Sequence, residues 1–195
     1  MLGQIVAIAG GLVITGYTLN LVRRVMDGYD TPLPEWDDIG GLLGLGLKGF
    51  VVQLGWSLPL IVLGFAVLLP GLAADNGGLI ALGSLVFLVL ALATAVIAPA
   101  GLGRLAATGS IGEGLNVRLI LDLVRNNIGD YVLLALAAIE AGLIGLAGFV
   151  VFLVGGLITV PYAVLVVAHL TGQAYFWSTS TLPALARAER PYLEP

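Results

Sequence analysis

The chain has 195 residues, of which 59% are hydrophobic and only 10% charged, and its mean hydropathy is +1.06. A soluble domain usually carries about 25% charged residues, and a water-soluble fold this apolar could not cover its own surface. A net charge of −4 excludes the basic footprint of a nucleic-acid-binding protein, and a sequence without cysteine excludes disulfides and thiolate metal sites. The sequence therefore predicts an all-α integral membrane protein, a helical bundle in a lipid bilayer.

Charged residues divide the sequence into apolar stretches of membrane-spanning length, which is about 20 residues for a hydrocarbon core of about 30 Å. The first stretch has no basic residue before Leu2 and continues to Val22, which is typical of a spanning helix rather than a signal peptide. The last charge-poor stretch is long enough for two crossings, with Gly155-Gly156 as the turn. We expect spans at 2–22, 49–70, 79–99, 131–153 and 157–177.

Basic residues predict the orientation of these spans. All eight lie after the first, third or fifth span, and none lies in the other connections: Arg23, Arg24, Lys48, Arg104, Arg118, Arg125, Arg187 and Arg190. The positive-inside rule makes that side cytoplasmic, so the protein is predicted in the cell membrane with its N-terminus outside and its C-terminus in the cytoplasm. We expect Tyr131, Tyr175 and Trp177 in the interfacial aromatic belt on that side.

The two longer connections on the basic side predict interfacial helices. Residues 35–47 begin with acidic residues after Pro34 and continue with apolar residues at helical spacing, and glycines up to Gly49 are expected to turn the chain into the second span. Residues 111–126 carry an apolar stripe beside charged positions, which is typical of an amphipathic helix on a membrane surface. A single transmembrane domain, 1–195, would then contain a parallel internal repeat, 2–70 and 79–153, followed by the fifth span, 157–177.

Two series of residues resemble a known family. The first is Gly16-Tyr17, Arg23-Arg24, Leu33-Pro34-Glu35-Trp36-Asp37-Asp38, Gly46-Leu47-Lys48 and Pro59, and the second is Ala168-His169-Leu170-Thr171-Gly172-Gln173-Ala174-Tyr175. Together they resemble the archaeal membrane proteins of domain-of-unknown-function family 4013, over nearly the whole chain. The resemblance implies an uncharacterised multi-pass membrane protein of halophilic or methanogenic archaea, and the acidic excess with a single lysine agrees with a halophilic proteome. No activity and no functional residues follow from the family.

Glu140 and His169 form the candidate intramembrane polar pair. Both lie inside predicted spans, and because those spans are antiparallel neighbours the two side chains are expected at matching depth. A charged side chain at the bilayer centre costs about 2.5–3.5 kcal/mol on insertion scales, so such groups are protonated, paired or in contact with water. A proton or cation relay is one interpretation, and a protonated Glu140 that hydrogen-bonds to a neighbouring helix is the other.

Other polar and small residues favour structural roles. Asn20, Gln53 and Gln173 are expected to form hydrogen bonds between helices. Small residues at Gly3, Ala7, Gly11 and Thr15, and again around Gly142 in the fourth span, predict close helix contacts. A G-x-G-x-x-A match at 101–106 follows a span instead of a strand, so no dinucleotide site and no other cofactor or metal site is predicted.

Two classes of function remain open on the sequence. The first is a structural, accessory or partner-binding membrane protein, which binds other membrane proteins or associates with itself. The second is a small-solute or ion transporter, or a proton-coupled channel component, with Glu140 and His169 at its site; a parallel repeat of five spans does not match the usual inverted-repeat plan. An enzyme is the third choice, since one histidine and no nucleophile–base pair leave no catalytic residues to name.

Overall fold

The computed structural model describes residues 2–29, 33–151 and 153–180, and in these ranges every regular element is an α-helix. Five of the helices contain stretches long and apolar enough to cross a membrane, at Val6–Met26, Ile39–Ala73, Gly77–Thr108, Ile128–Ala147 and Ile158–Thr179. The predicted all-α bundle with five membrane spans is confirmed. In chain order the helices are α1 (Leu2–Met26), α2 (Ile39–Ala73), α3 (Gly77–Thr108), α4 (Ile111–Gly114), α5 (Val117–Asn126), α6 (Ile128–Val151) and α7 (Leu153–Ser180).

Helices α1 and α2 pack so closely that each needs glycine at the crossing. A Cβ built on Gly16 would overlap the backbone carbonyl of Leu42, and one built on Gly46 would overlap the backbone carbonyl of Leu12. The pairing of 16 with 42 and of 12 with 46 makes the two helices antiparallel. Backbones in this kind of contact gain van der Waals packing at the crossing, which is one source of helix association in lipid.

Helix α2 is continuous over 35 residues, about 52 Å at 1.5 Å per residue. The separate interfacial helix predicted over 35–47 is therefore not formed, because residues 33–38 are non-helical and the remainder begins α2. The turn expected at the glycines is also wrong. Gly46 and Gly49 lie against α1, where the missing side chain allows close packing, and the helix passes through them without a break.

Residues 33–38, before α2, are held by a buried proline, a ring stack and a helix cap. Pro34 is buried, and the Trp36 ring stacks on Tyr17 of α1 with 4.3 Å between ring centroids and 13° between ring planes. The Asp38 carboxylate accepts a hydrogen bond from the Gly41 backbone N–H at 2.8 Å, which satisfies one of the free donors at the start of α2. These contacts give a structural role to the Pro-Glu-Trp-Asp-Asp segment.

The second amphipathic segment, predicted over 111–126, is helical but divided into α4 and α5. The division falls at Leu115-Asn116, because the Asn116 side chain accepts a hydrogen bond from the Leu119 N–H and so begins a new helix. α5 buries Ile120, Leu123 and Val124 and leaves its charged residues exposed, as the apolar stripe predicts.

At the other end of the bundle, the turn between α2 and α3 is short. α2 and α3 meet through Asp75, whose φ of 47° reverses the chain, and Asn76, whose side chain accepts from the Leu79 N–H. α6 ends at Val151 and α7 begins at Leu153, with residue 152 outside the described ranges. The turn predicted at Gly155-Gly156 is wrong, since both glycines lie within α7.

The core lies at one end of the bundle, where α1, α3 and α7 finish and α2 and α6 begin. Helices α4 and α5 also lie at this end, which we name the charged end. Its most buried side chains include Leu21, Val52, Leu105 and Ile120. Tyr131 is fully buried there, with 0% exposure, and Tyr175 is buried as well, so both side chains pack inside the bundle instead of facing lipid; their depth at the membrane interface stays a prediction. Trp177 does remain exposed.

Candidate functional site

A buried arginine joins three helices at the charged end. The Arg104 guanidinium, on a residue only 8% exposed, donates from Nε and Nη2 to Glu113 Oε2 at 3.1 and 2.8 Å. Its Nη1 lies 3.4 Å from the Tyr175 hydroxyl. Glu113 can reach back to α3 because Gly109, with a φ of 69°, reverses the chain directly after that helix. Arg104 therefore ties α3, α4 and α7 together.

Two side chains of helix α2 donate hydrogen bonds to the segment 109–114, which follows α3 and includes α4. Lys48 Nζ donates to the Gly109 carbonyl at 2.9 Å, and Trp56 Nε1 donates to the Gly114 carbonyl at 2.9 Å. Carbonyls at a helix C-terminus have no partner inside the helix, and a cation is favoured there by the helix dipole. Lys48 thus acts as a cap on α3, and the polar groups of this segment are used in holding the fold.

A third polar contact at the charged end joins α6 to α7. The Tyr131 hydroxyl lies 3.2 Å from Ser178 Oγ, and both residues are buried. The Asn127 amide donates to the Leu123 carbonyl at 3.0 Å and approaches the Ser178 carbonyl at 3.5 Å. These groups are satisfied within the chain, as buried polar groups generally are.

The candidate pair Glu140 and His169 is not joined by a direct contact. His169 is half-buried on α7, and its Nε2 lies 3.1 Å from Gln173 Nε2, one helical turn further along. Glu140 is exposed on α6, and no residue in the described ranges forms a hydrogen bond or an ion pair with it. In the structure His169 therefore contacts Gln173, and the Glu140 carboxyl group has no partner among the described residues.

Glu140 and Gln173 instead border one groove, of about 520 Å³, between α6 and α7. The groove is open to the side of the bundle, and Asp130 and Trp177 stand at its charged end. We name it the α6–α7 groove, defined by Asp130, Leu133, Leu134, Leu136, Ala137 and Glu140 of α6 and Leu170, Gln173, Ala174 and Trp177 of α7.

A second cavity, of about 360 Å³, lies among α1, α3, α6 and α7 and is almost wholly apolar. Small residues of α6 and α7 widen it, including Ala138, Gly142 and Ala163. Two threonines, Thr18 and Thr171, are its polar members, and Thr171 already donates to the Val167 carbonyl. Among the described residues, no charged side chain lines this cavity.

The secondary polar residues do not form the hydrogen bonds between helices that the sequence predicts. The Gln53 amide lies 3.5 Å from Ser57 Oγ, one turn away on the same helix, and Gln53 is exposed. Gln173 bonds to His169 on its own helix. Asn20 is half-buried on α1, and its side chain has no hydrogen bond to a described residue. Exposed amides on a membrane helix are free to bind groups outside the chain.

The contacts of Arg104, Lys48 and Trp56 were not predicted from the sequence, where the two basic residues served only to orient the spans. A signal was available in the spacing of Arg104 and Glu113 on either side of Gly109. Within the described ranges no group of three or more His, Cys, Asp and Glu residues lies close enough together to hold a metal ion. The 101–106 motif lies inside α3, where no strand precedes it.

Five apolar spans around a core with polar ties at one end define a multi-pass helical membrane protein. The family described as "Protein of unknown function (DUF4013)" matches residues 1–160, and the chain belongs to this family. The family resemblance is thereby confirmed over a range that contains the first residue series and ends before the second, at 168–175. No curated protein and no solved structure matches the chain.

Proposed function

We propose that this protein is a partner-binding membrane protein, a structural or accessory component that binds other membrane proteins through the α6–α7 groove. The observation that carries the proposal is Glu140. Its carboxyl group is exposed within a span, faces a lateral groove, and has no partner among the described residues. A carboxyl group facing hydrocarbon is unfavourable by about 2.5–3.5 kcal/mol on insertion scales, and a hydrogen-bonding partner from outside the chain would remove that cost.

The polar groups elsewhere support the same conclusion. Arg104, Lys48 and Tyr131 bond within the chain, so the charged end is held together by its own residues. Glu140 and the exposed amides of Gln53 and Gln173 lie on the outside of the bundle. A transporter places its polar site between helices near the middle of the bundle, whereas a scaffold needs its polar groups on the lateral surface.

The groove can be tested by comparing its exposure to lipid in two settings. We expect a spin label at Ala137, which lines the groove, to be protected from oxygen in native membranes and accessible in nanodiscs that each hold one chain. A label at Leu85, 59% exposed on α3, is the control and should be accessible in both settings. Equal accessibility of the Ala137 label in both settings would contradict a partner in the groove.

Proton-coupled transport is the second candidate, and the presence of Glu140, Gln173 and His169 within two neighbouring spans favours it. The purified protein in liposomes under a pH gradient distinguishes the two. Under the partner-binding proposal, Glu140→Gln leaves proton flux unchanged, because no pathway depends on the carboxyl group. A flux that Glu140→Gln abolishes would replace the proposal by a relay through this residue.

We also propose that the charged end is cytoplasmic, with the N-terminus outside, on the support of the basic residues that cluster there. Single cysteines are unambiguous reporters because the chain has none of its own. We expect Asp75→Cys to react with an impermeant maleimide on intact cells and Asp122→Cys, exposed on α5, to react only after permeabilisation. Reaction of both on intact cells would contradict this orientation. The halophilic archaeal origin implied by the resemblance stays a prediction, supported by the acidic excess.

A further inference from the structure

The α6–α7 groove carries hydrogen-bonding groups that can bond to the same groups on a second copy of the chain. Glu140 and Gln173 both border it, yet no hydrogen bond joins them within one chain. The Gln173 amide offers two N–H donors and one carbonyl acceptor, and among the described residues its hydrogen bond is to His169. A second carboxyl or amide could therefore bond to Gln173 without disturbing that contact.

Helix direction brings these two side chains toward the same depth. Glu140 lies roughly 18 Å along α6 from Ile128, and Gln173 lies roughly 10 Å along α7 from Ser180, at 1.5 Å per residue. Side chains on a helix tilt toward its N-terminus. Because α6 begins at the charged end and α7 finishes there, Glu140 tilts toward that end and Gln173 tilts away from it, which shortens the difference in depth.

Copies of one membrane protein share a single orientation, so they can be related by a two-fold axis along the membrane normal. Such an axis preserves depth and gives an interface in which the same patch is used by both copies. A group on one copy then meets groups at its own depth on the other. The carboxyl of Glu140 would meet the amide of the second copy's Gln173, and the reverse contact would form at the same time.

We propose that the α6–α7 groove is the interface of a parallel two-fold dimer in which Glu140 of each copy bonds to Gln173 of the other. This inference rests on the proposed function and names its partner as a second copy of this chain. The choice follows from complementarity, because the groove supplies both the acceptor and the donor of the bond. Leu133 and Trp177, 65% and 62% exposed beside the groove, supply apolar surface around the two polar contacts.

Disulfide capture tests the geometry in liposomes that contain only the purified protein. Two equivalent cysteines form a disulfide only when their Cα atoms come within about 7 Å, which for identical positions requires that they lie near the two-fold axis. We expect Leu136→Cys, in the groove, to cross-link under mild oxidation in proportion to dimer. Leu85→Cys, equally apolar and exposed on α3, should stay uncross-linked at the same protein-to-lipid ratio.

Variants of the polar pair test the chemistry. Glu140→Leu should weaken dimerisation roughly tenfold, as the loss of two interhelical hydrogen bonds in lipid predicts. Glu140→Gln should retain the dimer, because an amide also bonds to Gln173. The exchanged variant, Glu140→Gln with Gln173→Glu, should restore the association that Glu140→Leu loses. Because Glu140 is exposed, these changes leave the core of the chain intact.

The outcomes separate this inference from the proposed function. Equal cross-linking of Leu136→Cys and Leu85→Cys, or an exchanged variant as weak as Glu140→Leu, would overturn the dimer. A second outcome is that the Ala137 label is protected in native membranes while pure liposomes give no Leu136→Cys cross-link. A different membrane protein then occupies the groove: the dimer is overturned, and the partner-binding function stands. If the Ala137 label is accessible to lipid both in native membranes and in nanodiscs that each hold one chain, the partner-binding proposal and the dimer both fail.

Discussion

Gly46→Ala is expected to destabilise the bundle by about 2–3 kcal/mol, the upper part of the range for overpacking a tight contact. The added methyl group would overlap the Leu12 backbone carbonyl of α1, and a backbone cannot move aside as a flexible side chain can. The two helices would have to separate along the crossing at Gly16 and Gly46. The shift of the unfolding midpoint, measured by titrating SDS into detergent micelles, gives the size of the effect.

Gly44→Ala is the matched control for this change. Gly44 lies on the same helix, two residues earlier, and no atom comes within 4 Å of its Cβ position. Alanine there is expected to be neutral or stabilising by up to about 1 kcal/mol through helix propensity. If Gly46→Ala and Gly44→Ala behaved alike, the close contact between α1 and α2 would be wrong.

Arg104→Met is the second change with a large expected effect, a loss of about 2–3 kcal/mol. Breaking a fully buried ion pair costs about 3–5 kcal/mol, and the value is reduced here because the Glu113 side chain keeps 41% of its exposure and so remains partly hydrated. Methionine preserves much of the side-chain volume, so the change tests the polar contacts. The measurement is again the unfolding midpoint in SDS.

Two companions make this prediction specific. Arg118→Met removes an exposed arginine of α5 and should change stability by no more than about 0.5 kcal/mol. The double variant Arg104→Met with Glu113→Leu should recover part of the loss, because it no longer leaves a carboxylate without its partner. Equal effects of Arg104→Met and Arg118→Met would show that the contact between α3, α4 and α7 contributes nothing to stability.

Composition and the spacing of charges were enough to predict the fold class, the number of spans and the amphipathic character of 111–126. The lipid bilayer decides these features. A chain with so few charged residues cannot present a water-soluble surface, and each crossing needs a fixed length of apolar sequence. The parallel repeat of 2–70 and 79–153 stays a prediction. The family was accessible from local residue series, among them Trp36 and Asp38, whose contacts the structure explains as a stacked ring and a helix cap.

Tertiary contacts decided the rest, and the glycines show why. Gly46 and Gly49 have the composition of a hinge, and only the position of α1 reveals them as a packing surface, whereas Gly3 and Gly11, predicted to mark close contacts, face open space. Tyr131 was expected at the membrane interface and is buried against Ser178, because burial depends on which helix lies alongside. Glu140 and His169 are predicted at matching depth, but depth leaves the rotation of each helix about its axis undetermined. That rotation directs Glu140 into the lateral groove, while His169 contacts Gln173, one turn away on its own helix.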